Sequence, residues 1–316
     1  MNKKISLIIV SAFLLLACSN NSGKKVKPVK PNGDYKVGTV VEENTNNTNI
    51  ERGNREKITL ENTVFKKLGL PLPYNTFGAA IPYLVPVNDN HKESFSVFGE
   101  YDENKALKYF KNLSSRGHGD NSPYWRWKTS IKKSDLYNKV ESRIVSIYKT
   151  NPRNVLTLVN GEWQQAPIRS VGDVKDIIVA ARGESGIITH MLIITSNGKY
   201  LVAKEFNVRK LLATNNALYG SKGDEDSYAS KPVTPSVSSL PSAYLALEED
   251  GEYIHIYGGG YGHGVGMSQF AAGTLAKSGE SYKNILKRYY TNVKISTVES
   301  VLGNNKEIKV GITTNG

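Results

Sequence analysis

A chain of 316 residues with 39% hydrophobic content is long enough to bury a substantial core in one large or two small domains, and its composition excludes a fibre. Its 41 Lys and Arg against 29 Asp and Glu give a formal net charge of +12, which favours acidic partners. Cys18 is the only cysteine, so neither an intrachain disulfide nor a thiolate metal site can form.

At the N-terminus, Met1-Asn2-Lys3-Lys4 is a basic head on an apolar run, Ile5 to Leu16, that is too short to span a bilayer comfortably. It reads as an export signal. Its end, Leu15-Leu16-Ala17-Cys18, resembles the bacterial lipobox, in which the cysteine is lipidated and the chain is cut just before it. Residues 1–17 are therefore expected to be a lipoprotein signal peptide and Cys18 the lipidation site. The protein is then exported and anchored by its lipid in a bacterial cell envelope, with each buried methylene contributing about 0.8 kcal/mol of membrane affinity. Export removes nucleic acid from the expected partners and leaves membrane lipid and acidic wall polymers.

Residues 18–56 are rich in Asn, Lys, Gly, Thr and Glu and poor in large apolar side chains. Such a stretch cannot offset its ordering entropy and reads as a disordered tether. From Lys57 to the end the pattern is globular. Leu70-Pro71-Leu72-Pro73 and Ile81 to Pro86 are proline-punctuated extended segments. Asn104 to Leu113 places Ala106, Leu107, Phe110 and Leu113 at helical spacing, and Gly117 to Pro123 is a loop.

Strand-type runs are expected at Arg143 to Lys149, Val155 to Val159, Ile177 to Ala181, Ile187 to Thr195 and Lys199 to Glu205. Ser196-Asn197-Gly198 between the last two signals a hairpin, because Asn-Gly tolerates positive φ. Asn207 is placed to cap a short helix through Leu212, and residues 221–239 read as a surface loop. Ile254 to Tyr257 is a strand. Ser268 can cap a helix stopped by Gly279, and Ser281 begins another with an apolar stripe of Tyr282, Ile285, Leu286, Tyr289 and Tyr290. The fold class is α+β, a strand-rich body with a C-terminal Gly-rich strand or turn followed by two helices.

Between the last strand and helix lies GGGYGHGVGMSQ, with glycine at 258, 260, 262, 264 and 266. With a period of two, these glycines present one bare face while Tyr261, His263, Val265 and Met267 share the other. A ligand, a neighbouring strand or the following helix can be what approaches. Amides near Ser268 and Gln269 favour an acceptor-rich ligand such as a sugar or carboxylate. The spacing fails the dinucleotide fingerprint G-x-G-x-x-G, and no phosphate-loop lysine follows, so no nucleotide or other cofactor is expected.

Of the five histidines none forms an H-x-x-x-H pair, so no metal site is expected. His190 alternates with Ile188, Leu192 and Ile194 as a core residue would, whereas His263, flanked by glycines, reads as an exposed hydrogen-bond partner or acid/base. Trp125 and Arg182 are candidate glycan and anion contacts, with core anchoring and plain surface charge as their structural alternatives. No G-x-S-x-G elbow is present, and Glu162, Glu184, Glu205, Glu248 and Asp250 show no spacing that selects a catalytic acid.

The stretch Tyr257 to Tyr290, YGGGYGHGVGMSQFAAGTLAKSGESYKNILKRYY, resembles the C-terminal signature of the stage II sporulation protein D and amidase-enhancer (SpoIID/LytB) family. Weaker similarity touches Leu240-Pro241-Ser242, Asp176 to Arg182, Ser185-Gly186, Ser122 to Lys128 and Pro82-Tyr83-Leu84. The resemblance implies peptidoglycan as substrate or ligand, with some members similar to lytic transglycosylases and others to enhancers of wall amidases. The family's E-M-P-like glutamate region and its His/Cys segment are not found, so no catalytic residue carries over. What carries over is Tyr261, Gly262, His263, Gly264, Met267, Ser268 and Gln269 as a substrate-binding segment. The expectation is a lipid-anchored peptidoglycan-binding protein of wall remodelling, non-catalytic or dependent on a wall amidase or other hydrolase as partner. A lytic transglycosylase and a structural scaffold for a wall enzyme are the alternatives.

Overall fold

The computed structural model describes residues 8–9, 39–43, 64–73, 83–90, 102–234, 238–297 and 300. The chain divides into two units, one of Met1–Thr48 with Thr291–Gly316 and one of Asn49–Tyr290. In the first, β1 (Ile8–Ile9), β2 (Thr39–Glu43) and the strand Val293–Thr297 make a three-stranded antiparallel sheet with β2 central. Cys18 lies outside the described residues.

The second unit is an α+β, strand-rich body. Its elements are α1 (Val64–Lys67), α2 (Glu103–Lys111), β3 (Arg126–Lys132), α3 (Lys133–Thr150), β4 (Val155–Val159), β5 (Glu162–Gln164), β6 (Val174–Arg182), β7 (Ile188–Thr195) and β8 (Gly198–Ala203). They continue with α4 (Glu205–Leu211), β9 (Tyr219–Ser221), β10 (Leu245–Glu249), β11 (Tyr253–Gly258), α5 (Gln269–Lys277) and α6 (Tyr282–Tyr289). One sheet runs β5-β4-β8-β7-β6 and the other β10-β11-β3-β9, with every pairing antiparallel.

Strand alternation decides which side chains meet. Met191 and Ile193 of β7, Tyr200 and Val202 of β8, and Ile177 and Val179 of β6 join Trp127, Ile131, Ile254 and Ile256 of the second sheet in one core. Their neighbours Leu192, Leu201 and Ala180 face the other way, onto Phe65 of α1 and Trp163 of β5. The central strands of the larger sheet are thus covered on both faces, which is why they read as near-continuous apolar runs. On the smaller sheet's outer face, Ala106 and Phe110 of α2 pack against Ala246.

Two local expectations are corrected. Arg143 to Lys149 is not a strand but the C-terminal half of α3, because Leu136, Val140, Ile144 and Ile147 lie on one helical face and all are buried. Asn207 does not cap α4. The helix starts at Glu205 after Lys204, whose φ is +77°, and the Asn207 amide donates back to the carbonyl of Ala203 at 2.7 Å. By contrast, the β7–β8 hairpin pairs Thr195 with Gly198 as its Asn-Gly turn signalled, and Ser268 and Ser281 cap α5 and α6 through their hydroxyls.

His190 is a core residue, 4% exposed, with its Nδ1 3.1 Å from the Thr189 hydroxyl. Burial pulls its pKa down to about 4, because the charged imidazolium loses its hydration there. A folded-state pKa below the ordinary value of about 6.5 means that the unfolded chain binds the extra proton between those two values. Stability contributed by neutral His190 is therefore complete above about pH 6.5 and is lost as pH falls toward 4, by roughly 3 kcal/mol in total. Urea midpoints measured from pH 7 to pH 4 should fall along this course, and His190→Gln should flatten it.

Candidate glycan-binding ribbon

β11 ends at Gly258, and the chain then leaves the sheet as an irregular ribbon up to α5. The bare period-two face expected from the glycines is not what forms. Gly260, Gly262, Gly264 and Gly266 have φ of +76°, +131°, +74° and +79°, so every second residue sits in backbone space that a Cβ disfavours. The repeat therefore encodes a winding path and not a flat strand.

Close approach adds a second demand at particular positions. A Cβ at Gly258 would lie 2.2 Å from the Trp127 ring, one at Gly264 would lie 2.7 Å from the Tyr244 ring, and one at Gly266 would lie 3.2 Å from the Tyr290 hydroxyl. Gly260 and Gly262 face open space. The ribbon is tied down through its backbone: the N–H groups of Gly259, Gly260 and Gly262 donate to the carbonyls of Tyr244, Tyr124 and Pro241 at 2.9, 2.7 and 2.9 Å. The Trp127 indole N–H donates to Gly260 O and the Ser242 hydroxyl to Gly259 O.

With its backbone held from below, the ribbon shows its side chains to solvent. Tyr261 is 69% exposed, with its ring centroid 4.9 Å from that of Tyr124, and His263 and Val265 are exposed beside it. His263 Nδ1 accepts the Val265 N–H at 2.9 Å, so a neutral ring carries its proton on Nε2 as a donor. Ser268, half-buried, accepts the Ala271 N–H at 3.3 Å, which leaves the first-turn amides of Gln269 and Phe270 without an intrahelical acceptor. Gln269 and Phe270 are exposed, and Met267 is half-buried next to the cap. Gly264, with its positive φ, sits over Tyr244 and Ile187.

The two more distant candidates part company. Trp125 is half-buried and donates its indole N–H to Ser115 O at 2.9 Å. Because a Cβ at Gly119 would lie 3.7 Å from the Trp125 ring and 3.9 Å from the Ala271 amide nitrogen, the Gly117 to Pro123 loop brings this indole to the first turn of α5. Arg182 is 0% exposed, and its guanidinium donates to both Glu103 carboxylate oxygens at 3.0 and 2.7 Å and to Gly186 O at 2.9 Å. The expected anion ligand is therefore a corrected assignment: Arg182 is committed to the fold, holding the β6–β7 turn to α2.

Sequence reasoning missed the supports. Tyr244 donates to the Ser185 hydroxyl at 2.8 Å, and burial raises its pKa, so it stays a neutral donor under the ribbon. Asp89 accepts the Tyr289 hydroxyl at 2.9 Å and Arg288 at 3.2 Å, and its carbonyl accepts the His118 N–H. It joins α6 to the loop that carries Trp125. The only sequence signal for these residues was their nearness to the weakly similar segments around Tyr83, Ser122, Ser185 and Leu240, which this unit brings to one place.

Among the described residues, no group of three or more His, Cys, Asp or Glu is placed to hold a metal ion, and no helix is long and apolar enough to cross a membrane. A family model described as "Domain of unknown function (DUF8618)" matches residues 76–266. Amidase enhancer of Bacillus subtilis (strain 168) is 43% identical over 56 residues, 18% of this chain and 8% of that relative. Stage II sporulation protein D is 44% identical over 63 residues in Bacillus amyloliquefaciens and 40% over 63 in Bacillus subtilis (strain 168), covering 20% of this chain and 18% of each relative. The matched segments thus span less than a fifth of these curated relatives.

Proposed function

Because the chain belongs to the family described as "Domain of unknown function (DUF8618)" and is related over its C-terminal part to amidase enhancer and stage II sporulation protein D, we propose that it binds peptidoglycan glycan on the ribbon Gly260 to Phe270. The relatives' names suggest a cell-wall related function. The observation that carries the finer reading is the exposed row of Tyr261, His263 and Gln269 beside helix-start amides, on a backbone anchored at Gly259, Gly260 and Gly262. A sugar needs an aromatic face to stack on and donors for its hydroxyl and acetamido oxygens, and this row supplies both.

In this reading the protein is exported, held to the membrane by lipid on Cys18, and acts without cutting glycan itself, as a binding partner for a wall amidase or other hydrolase. Rigid attachment favours such a role, since a pre-ordered ribbon loses little entropy when it binds. His263→Ala and Gln269→Ala are each expected to weaken binding of the full-length protein to isolated sacculi by about tenfold, the equivalent of 1.4 kcal/mol, with the unfolding midpoint unchanged. Unaltered sacculus pull-down in both variants would remove the ribbon from the binding surface. Release of anhydro-muropeptides by the purified protein would replace binding with glycan cleavage.

A further inference from the structure

On the smaller sheet, away from the ribbon, β3 and β11 pair with Ser130 directly opposite His255. The Ser130 hydroxyl lies 2.7 Å from His255 Nδ1, and His255 Nε2 lies 2.7 Å from Asp250 Oδ2 in the β10–β11 turn. From this geometry we propose that Ser130, His255 and Asp250 form an acyl-transfer relay that takes a small carboxylic ester as substrate, independently of glycan binding.

Proton positions follow from the partners. The hydrogen bond from His255 holds the Asp250 carboxyl below its ordinary pKa, so it is ionised and can only accept. Nε2 therefore carries the imidazole proton. In the neutral ring Nδ1 keeps its lone pair, and the Ser130 hydroxyl must be the donor to it. This is the relation a nucleophile needs to its base, with the carboxylate fixing the tautomer. With Nε2 protonated toward Asp250, Nδ1 is the nitrogen placed to act as the base.

The surroundings hold the relay and charge it. The Asn216 amide donates to the Ser130 carbonyl at 2.6 Å, and the Tyr253 ring is stacked beside His255, centroids 6.3 Å apart. Asp250 also accepts the Tyr253 N–H at 2.9 Å, which fixes the carboxylate on the turn. Lys128 and Lys132 lie two residues to either side of Ser130 on the same face of β3. Lys128 lies over the Tyr228 ring and Lys132 is paired with Glu252 at 3.1 Å. Ser130 and His255 are half-buried and therefore open to solute.

In the acylation step, Ser130 Oγ attacks the ester carbonyl carbon while its proton passes to His255 Nδ1. The carbon–oxygen bond to the leaving alcohol then breaks, and that proton returns to the alkoxide. Water next attacks the acyl-serine with His255 taking its proton, and the free acid leaves as Oγ regains a proton.

The full-length protein would be treated with a fluorophosphonate probe and the adduct mapped by mass spectrometry. The expected result is a single adduct on Ser130, absent in Ser130→Ala and formed at least about a hundredfold more slowly in His255→Gln, with both variants folded by circular dichroism. Asp250→Asn should slow it by about tenfold or more, because an amide in place of the carboxylate disturbs the tautomer. No adduct on Ser130, or labelling at an unchanged rate in His255→Gln, overturns the proposal and leaves these hydrogen bonds as a latch on the β10–β11 turn.

Discussion

Glu103→Ala is expected to destabilise the protein by about 3–5 kcal/mol, although Glu103 is itself about a third exposed. Its carboxylate is the counter-charge of Arg182, whose side chain has no exposure at all. Removing the carboxylate takes from this buried guanidinium the counter-charge it is paired with, and the hydration it gave up on folding is not restored. Arg182→Ala should cost a comparable amount for a different reason: it opens a cavity and strips the Gly186 carbonyl of its donor, while Glu103 keeps part of its water. The double variant Glu103→Leu with Arg182→Met should recover most of the loss, since an apolar pair of similar volume needs no charge compensation. Urea unfolding of the three proteins measures this directly. The same variants test the sequence-based role of Arg182: were it a ligand contact, sacculus binding would fall while stability held.

Gly258→Ala is expected to be nearly as damaging, with a loss of about 3 kcal/mol or more. The new methyl would lie 2.2–2.6 Å from three atoms of the Trp127 ring. That indole is fully buried, and its N–H is held by Gly260 O at 3.1 Å, so it cannot step aside. Trp127→Phe frees part of this space at the cost of a cavity. Combined with Gly258→Ala it should give a total loss smaller than the sum of the two single losses, and that non-additivity reports the contact itself. Gly260→Ala, which meets nothing within 4 Å, isolates the backbone contribution: its φ of +76° makes the change unfavourable by about 1 kcal/mol through strain alone.

Much of the fold was legible because it rests on short-range physics. The Asn-Gly hairpin, the Ser268 and Ser281 caps and the Gly279 stop each depend on a side chain and a backbone within a few residues of one another. The helix α3 was misread because Ile144, Val145 and Ile147 are β-branched, and local propensity there favoured a strand. Burial of Leu136, Val140, Ile144 and Ile147 against both sheets outweighed that preference. Such an outcome depends on surfaces far away in sequence.

At the ribbon, sequence and structure divide the account along the same line. The residue types alone determined that Gly258 to Gly266 is a place of special backbone, that His263 stands among glycines, and that Ser268 opens a helix. Tertiary structure decided which glycine serves φ and which serves packing, because the Trp127, Tyr244 and Tyr290 rings arrive from three separate segments. It also decided that Arg182 is buried with Glu103, 79 residues away, and that Ser130 meets His255 across a sheet, 125 residues apart. The physical reason is the range of the forces: caps and turns act over a few bonds, whereas burial and charge pairing act between whichever groups the folded chain sets side by side.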